Sequence, residues 1–133
     1  MTDDASRHDQ GMAVRRAVLG DTHVDAAVAR TDTFSAAFQD FIVRSAWGDV
    51  WSRPGLDRRT RSMLSVALLA ALGHERELAL HVHGAIRNGV TREELAEVLL
   101  HTALYAGIPA ANTAFAVAAE ALGAQGAQGA SGN

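Results

Sequence analysis

The chemistry-bearing residues of this chain concentrate between Leu56 and Gly89, in LDRRTRSMLSVALLAALGHERELALHVHGAIRNG. Arg58, Arg59 and Arg61 fall within one turn of a predicted helix. A guanidinium grips a carboxylate through two parallel hydrogen bonds, so such a cluster suits a carboxylate ligand. The positive pole of the helix dipole lies at the same end and disfavours cations there. Two readings follow: a solvated turn partly neutralised by Asp57, or one or two arginines facing an anion. Arg58 and Arg61 are i,i+3 and share a face, whereas Arg59 points about 100° from Arg58. At most two of the three reach one pocket easily, and the third is expected in a structural ion pair.

His74, Glu77 and His81 lie together beside an apolar stripe of Leu78, Val82, Ala85 and Ile86, at about 100° per residue. Groups half buried on such a flank shift their pKa values and can do acid–base work. His83 points about 200° away from His81, towards Arg76 and Arg87. Leu80 and Gly84 also lie off the stripe, where they suit a second helix or a subunit contact. The three flank groups form a weak metal site, because three ligands from one helix rarely close a coordination sphere; no metal is expected. A zinc-protease H-E-x-x-H needs histidine at 78, where Leu78 stands. P-loop, G-x-S-x-G and dinucleotide fingerprints are absent from the sequence.

The elements that position these groups read as helices. From Met63 to Leu72 nine of ten residues are apolar, which predicts a helix buried all round, capped by Asp57 and ended by Gly73. A helix from His74 to Asn88, closed by Gly89, carries the histidines. Upstream, helices are predicted from Ala5 to Leu19 and from Asp21 or Thr22 to Arg30. A third starts at Asp32 or Thr33 and runs to about Gly48, with Phe34, Phe38, Phe41 and Ile42 at helical spacing. Trp47 and Trp51 lie in a segment that breaks helix at Pro54–Gly55, and they either plug the domain edge or form a pocket wall. Thr91 to Glu94 is a capping box. The helix it opens turns Leu95, Val98, Leu99, Thr102 and Ala103 inward, leaves His101 at the surface and ends at Gly107. Pro109 suits the first turn of the last helix, which runs to about Leu122. No stretch alternates with period two. The expectation is an all-α, single-domain bundle of six or seven helices over residues 1–122. The Gly/Ala/Gln tail, 123–133, is expected to be disordered.

The 133 residues suffice for one domain with a real core, and 48% hydrophobic content supports a folded globule. Net charge of −3 argues against general nucleic-acid binding. Cysteine and lysine are absent, so thiol catalysis and thiolate metal sites are excluded. No stretch resembles a signal peptide or membrane span, which leaves a cytoplasmic location as the expectation.

Three runs then match something specific: GMAVRRAVLGDTHVDAA, FQDFIVRSAWGDVWSRPGLDRRTRS and NGVTREELAEVLLHTALYAGIPAAN. In order and over about residues 8–122 they resemble the 4-carboxymuconolactone decarboxylase family of the aromatic-degrading β-ketoadipate pathway. That family shares its fold with alkylhydroperoxidase-type proteins, which carry C-x-x-C followed four residues later by His. Here the same frame reads His74-Glu75-Arg76-Glu77, then His81, so thiol peroxidase chemistry is not available. The resemblance implies loss of carbon dioxide from 4-carboxymuconolactone, in protocatechuate catabolism, to the 3-oxoadipate enol-lactone. The conjugated lactone is its own electron sink, so no cofactor is expected. It also implies a homo-oligomer, a hexamer.

With the resemblance in hand, His81 and Glu77 become the candidate catalytic pair, at the positions where related proteins keep reactive groups. Arg58, Arg59, Arg61, His74, Trp47 and Trp51 become the candidate contacts to a small dicarboxylate lactone. Which residue donates the proton and which arginine anchors the substrate stay open. The competing readings are another lactone-processing enzyme or peroxidase-cycle partner on the same fold, and a non-catalytic oligomeric binding protein.

Overall fold

The structure, a computed structural model, describes residues 3–130, with side chains through residue 123. Among the described residues it contains seven α-helices and no strand: α1 (Asp4–Leu19), α2 (Asp21–Arg30), α3 (Ala36–Ile42), α4 (Arg58–Leu72), α5 (Glu75–Arg87), α6 (Arg92–Ala106) and α7 (Ile108–Ala130). Helix α3 runs directly into a π-helical segment, Val43–Val50. The fold is all-α, as expected. The tail expected to be disordered falls, Gly123 apart, on residues whose side chains or whole placement lie outside the described set. No helix among the described residues is long and apolar enough to cross a membrane.

Two compact units divide the chain, Met1–Arg58 and Arg59–Asn133. In the first, α1 packs on the π-helical segment and on α2. Asp3 caps α1 by accepting from the Ser6 amide at 2.7 Å, and that bond holds its carboxyl below the usual aspartate value. Gly20 ends the helix at φ 89°, a conformation open to glycine at little cost. Val14, Val18, Leu19, Val24, Val43 and Trp47 are buried. The phenylalanines at this end are not: Phe34, in the turn before α3, is 96% exposed, and Phe38 and Phe41 on α3 are also exposed.

In the second unit a core of Val66, Ala70, Leu78, Val82, Ala85, Leu95, Leu99, Ala114 and Ala118 joins α4, α5, α6 and α7. The capping box of α6 is formed: Glu94 N donates to Thr91 Oγ1 and Thr91 N to Glu94 Oε1, both at 3.0 Å. Gly107 separates α6 from α7 at φ 99°.

The expectation that α4 is buried all round is overturned. Its buried face is Ser62, Val66 and Ala70, while Leu64, Leu68 and Leu72 are exposed. The physical reason is geometric: the chain supplies packing partners for one side of α4, and composition does not reveal how many neighbours the fold provides.

Candidate functional site

In the first unit the site begins with a close approach of two backbones. A Cβ on Gly11 would lie 2.0 Å from the Val43 carbonyl oxygen, and one on Gly48 would lie 2.7 Å from the Arg7 carbonyl oxygen. Only glycine permits this contact between α1 and the π-helical segment. Arg7 locks the crossing, donating from Nε to Asp49 Oδ1 and from Nη1 to Asp4 Oδ1, both at 2.9 Å. The Arg7 hydrogen bond holds the Asp49 carboxyl below its ordinary value. The wider turn is marked by Trp51 N–H donating to Ala46 O, five residues back, at 2.9 Å.

That segment delivers the tryptophans. Trp47 is buried and Trp51 half-buried, with ring centroids 5.0 Å apart and planes tilted by 31°. Trp51 then walls a cleft of about 540 Å³, together with Arg53, Leu56, Asp57 and Arg58 and with Gln10 of α1. The volume lies within the range of small-molecule pockets. Two arginines and one aspartate line it, so its balance favours an anion.

In the second unit the first turn of α4 is held in two places. The Arg59 guanidinium pairs with Glu94, so one carboxylate both completes the capping box of α6 and anchors α4. Ser62, fully buried, accepts from Asn88 Nδ2 at 2.9 Å, which joins α4 to the end of α5. Arg61 is half-buried, with its Nε shielded from solvent. Helix α5 starts at Glu75, so His74 occupies its N-cap position without a side-chain cap bond. His81 is half-buried beside the core residues Leu78 and Ala85, and its Nδ1 is shielded from solvent.

His74 and Glu77 differ from expectation, since both are exposed rather than half-buried. His74 precedes the helix, so helical periodicity does not place it. Glu77 sits further round α5 than His81, beyond the reach of the chain's own core. Gly84, set apart from the main stripe in sequence, is buried.

Of the residues singled out in sequence, Trp51 and Arg58 share one cleft, and Trp47 stacks on Trp51. Arg59 is engaged by Glu94. Arg61, His74, Glu77 and His81 belong to the second unit. Among the described residues no group of three or more His, Asp or Glu is placed to hold a metal ion. Sequence reasoning missed Arg53 and Gln10 in the cleft and the Ser62–Asn88 bond. Ser62 carried a faint signal, a hydroxyl on an otherwise apolar face. Gln10 and Asn88 carried none, because their partners are distant in sequence.

The family profile described as the carboxymuconolactone decarboxylase family matches residues 36–120. This chain belongs to that family. The match runs from α3 into α7 and so includes the tryptophans, the arginine turn and α5. The chain is similar to a 4-carboxymuconolactone decarboxylase of Acinetobacter baylyi. The two are 50% identical over 117 residues, covering 88% of this chain and 87% of that protein. It is also similar to a nitrosuccinic acid decarboxylase of Metarhizium robertsii, 46% identical over 101 residues, 76% of this chain and 71% of that one. A 4-carboxymuconolactone decarboxylase sequence of Pseudomonas putida is 51% identical over 47 residues, 35% of this chain and 98% of that one. Within the carboxymuconolactone decarboxylase family, this chain thus has named relatives that share the removal of a carboxyl group.

Proposed function

We propose that this protein is a carboxy-lyase that decarboxylates 4-carboxymuconolactone to the 3-oxoadipate enol-lactone, without a cofactor, in protocatechuate catabolism by the β-ketoadipate pathway. The observation that carries this reading is the likeness to the Acinetobacter baylyi decarboxylase along most of both chains. The reaction has a simple electron count. The bond between the γ-carbon and its carboxylate breaks, carbon dioxide leaves, and the electron pair moves through the double bond onto the lactone carbonyl oxygen. One proton then adds to the carbon α to that carbonyl.

The protein has three tasks: to anchor the carboxylates, to stabilise the dienolate oxygen, and to deliver the proton. Arginines from the group Arg58 and Arg61 suit the first, with Trp47 and Trp51 as apolar surface. A histidine or arginine donor suits the second. His81 suits the third, with Glu77 one turn before it on α5; His81's half-buried setting beside the core supports this assignment. Arg59 has a structural role through Glu94. The working form is a homo-oligomer, a hexamer by family likeness. The exposed leucines of α4, and Leu100, Leu104, Tyr105 and Ile108 after them, support a second copy as their cover.

Purified protein incubated with 4-carboxymuconolactone is expected to release carbon dioxide, and to do so equally after extensive chelation. No release from the lactone overturns the reading, and release from nitrosuccinic acid instead redirects it to that substrate. Loss of activity on chelation, restored by one added divalent ion, overturns the cofactor-free mechanism.

A further inference from the structure

Arg53 occupies the same cleft as Trp51 and Arg58. Its backbone is held on both sides. Its N–H donates to the Val50 carbonyl at 3.1 Å, closing the turn that ends the π-helical segment. Pro54 follows and restricts Arg53 away from helical conformation. The preceding Ser52 hydroxyl donates to the Gly48 carbonyl, tying this corner to the glycine crossing with α1. The Arg53 side chain therefore starts from a rigid corner. Arg58 starts from the first residue of α4. Two guanidinium groups and one carboxylate, Asp57, then line a cleft whose apolar surface comes from Trp51 and Leu56. Such a cleft fits a small ligand with a flat, weakly polar body and an anionic end.

We propose that Arg53 acts with Arg58 to bind the carboxylate of a small organic acid in this cleft. Under the function proposed above, on which the ligand's identity rests, this is the acetate arm that the product keeps. A bidentate grip on the departing carboxylate would stabilise the ground state and slow the reaction. The retained carboxylate carries the same charge throughout, so arginines bound to it hold substrate and transition state alike. Their loss is read in KM more than in kcat.

The test uses Arg53→Gln and Arg53→Lys in the full chain, with carbon dioxide release from the lactone as one measurement. Calorimetric binding of glutarate, a dicarboxylate that lacks the lactone, is the other. For Arg53→Gln, KM is expected to rise about tenfold and kcat to change less than about threefold. Glutarate affinity is expected to fall by a similar factor, and Arg53→Lys to recover part of both losses, since lysine offers a point charge without the fork. The proposal is overturned if Arg53→Gln leaves KM and glutarate affinity within about twofold of wild type, or lowers kcat at unchanged KM. Should Arg53→Gln fail to fold, Arg53→Lys and Arg58→Gln decide by the same two measurements. Arg53-dependent glutarate binding without lactone turnover would sink the decarboxylase reading and leave this site standing. Lactone turnover, with KM and glutarate affinity both indifferent to Arg53, would do the reverse.

Discussion

At the scale of single residues, His81 and Arg15 invite opposite expectations. His81 lies at the edge of the α5 core stripe, half-buried beside Leu78 and Ala85. His81→Asn is expected to abolish carbon dioxide release while the helical circular dichroism stays that of wild type, and Glu77→Gln to come close to the same loss. A wild-type rate in His81→Asn removes it from the mechanism. Arg15 is the reverse case, a charge buried to 7% exposure with little to hold it. Its Nε has no hydrogen-bond partner, and Nη1 reaches Gln39 Oε1 only at 3.4 Å. Burial lowers its pKa, and the charge of Arg16 lowers it further. A buried charge without a carboxylate stabilises little, so Arg15→Met is expected to be neutral or stabilising by about 1 kcal/mol in urea unfolding. A loss of about 3 kcal/mol or more would mean that the guanidinium is fully paired in the working protein.

At the scale of elements, the glycine crossing between α1 and the π-helical segment is the most constrained contact of the first unit. The atoms a Gly11 Cβ would strike are backbone, which cannot swing aside as a side chain can. Gly11→Ala is expected to cost at least about 2 kcal/mol in denaturant unfolding. Gly55→Ala is the control, since a Cβ at that position would meet nothing within 4 Å, and it should change stability by less than about 0.5 kcal/mol. Equal effects at the two positions would show that the crossing is loose. Trp47 lies within the crossing segment, next to Gly48, and Trp51 follows it, so a mutant that still folds should also show altered tryptophan fluorescence.

At the scale of the whole molecule, the apolar side chains left at the surface are the feature to test, because a contiguous apolar face marks an interaction site. Leu64, Leu68 and Leu72 repeat every fourth residue along α4, and Tyr105 is 80% exposed on α6. Light scattering at micromolar concentration is expected to give several times the chain mass of 14.0 kDa, six times for a hexamer. Leu68→Glu should lower that mass, because a charge at a buried subunit contact is costly. A wild-type mass near that of one chain overturns the oligomer.

What the sequence determined by itself is local. Helix ends at Gly20 and Gly107, and the Thr91–Glu94 capping box, were legible because each depends on residues within about one turn. The expectation that one of three adjacent arginines forms an ion pair was also local, a matter of angles around one helix. That the pair is Arg59 with Glu94 was decided by tertiary structure, which alone brings α4 and α6 together. The same holds for Arg53 joining Arg58 and Trp51 in one cleft, and for Asn88 meeting Ser62. Exposure was the least legible property. Hydropathy reports that α4 has apolar faces, but which face is covered depends on how many neighbours the fold supplies. Ser62, the polar residue on the buried side, and Leu68, the apolar residue on the open side, are the reversal that only packing decides.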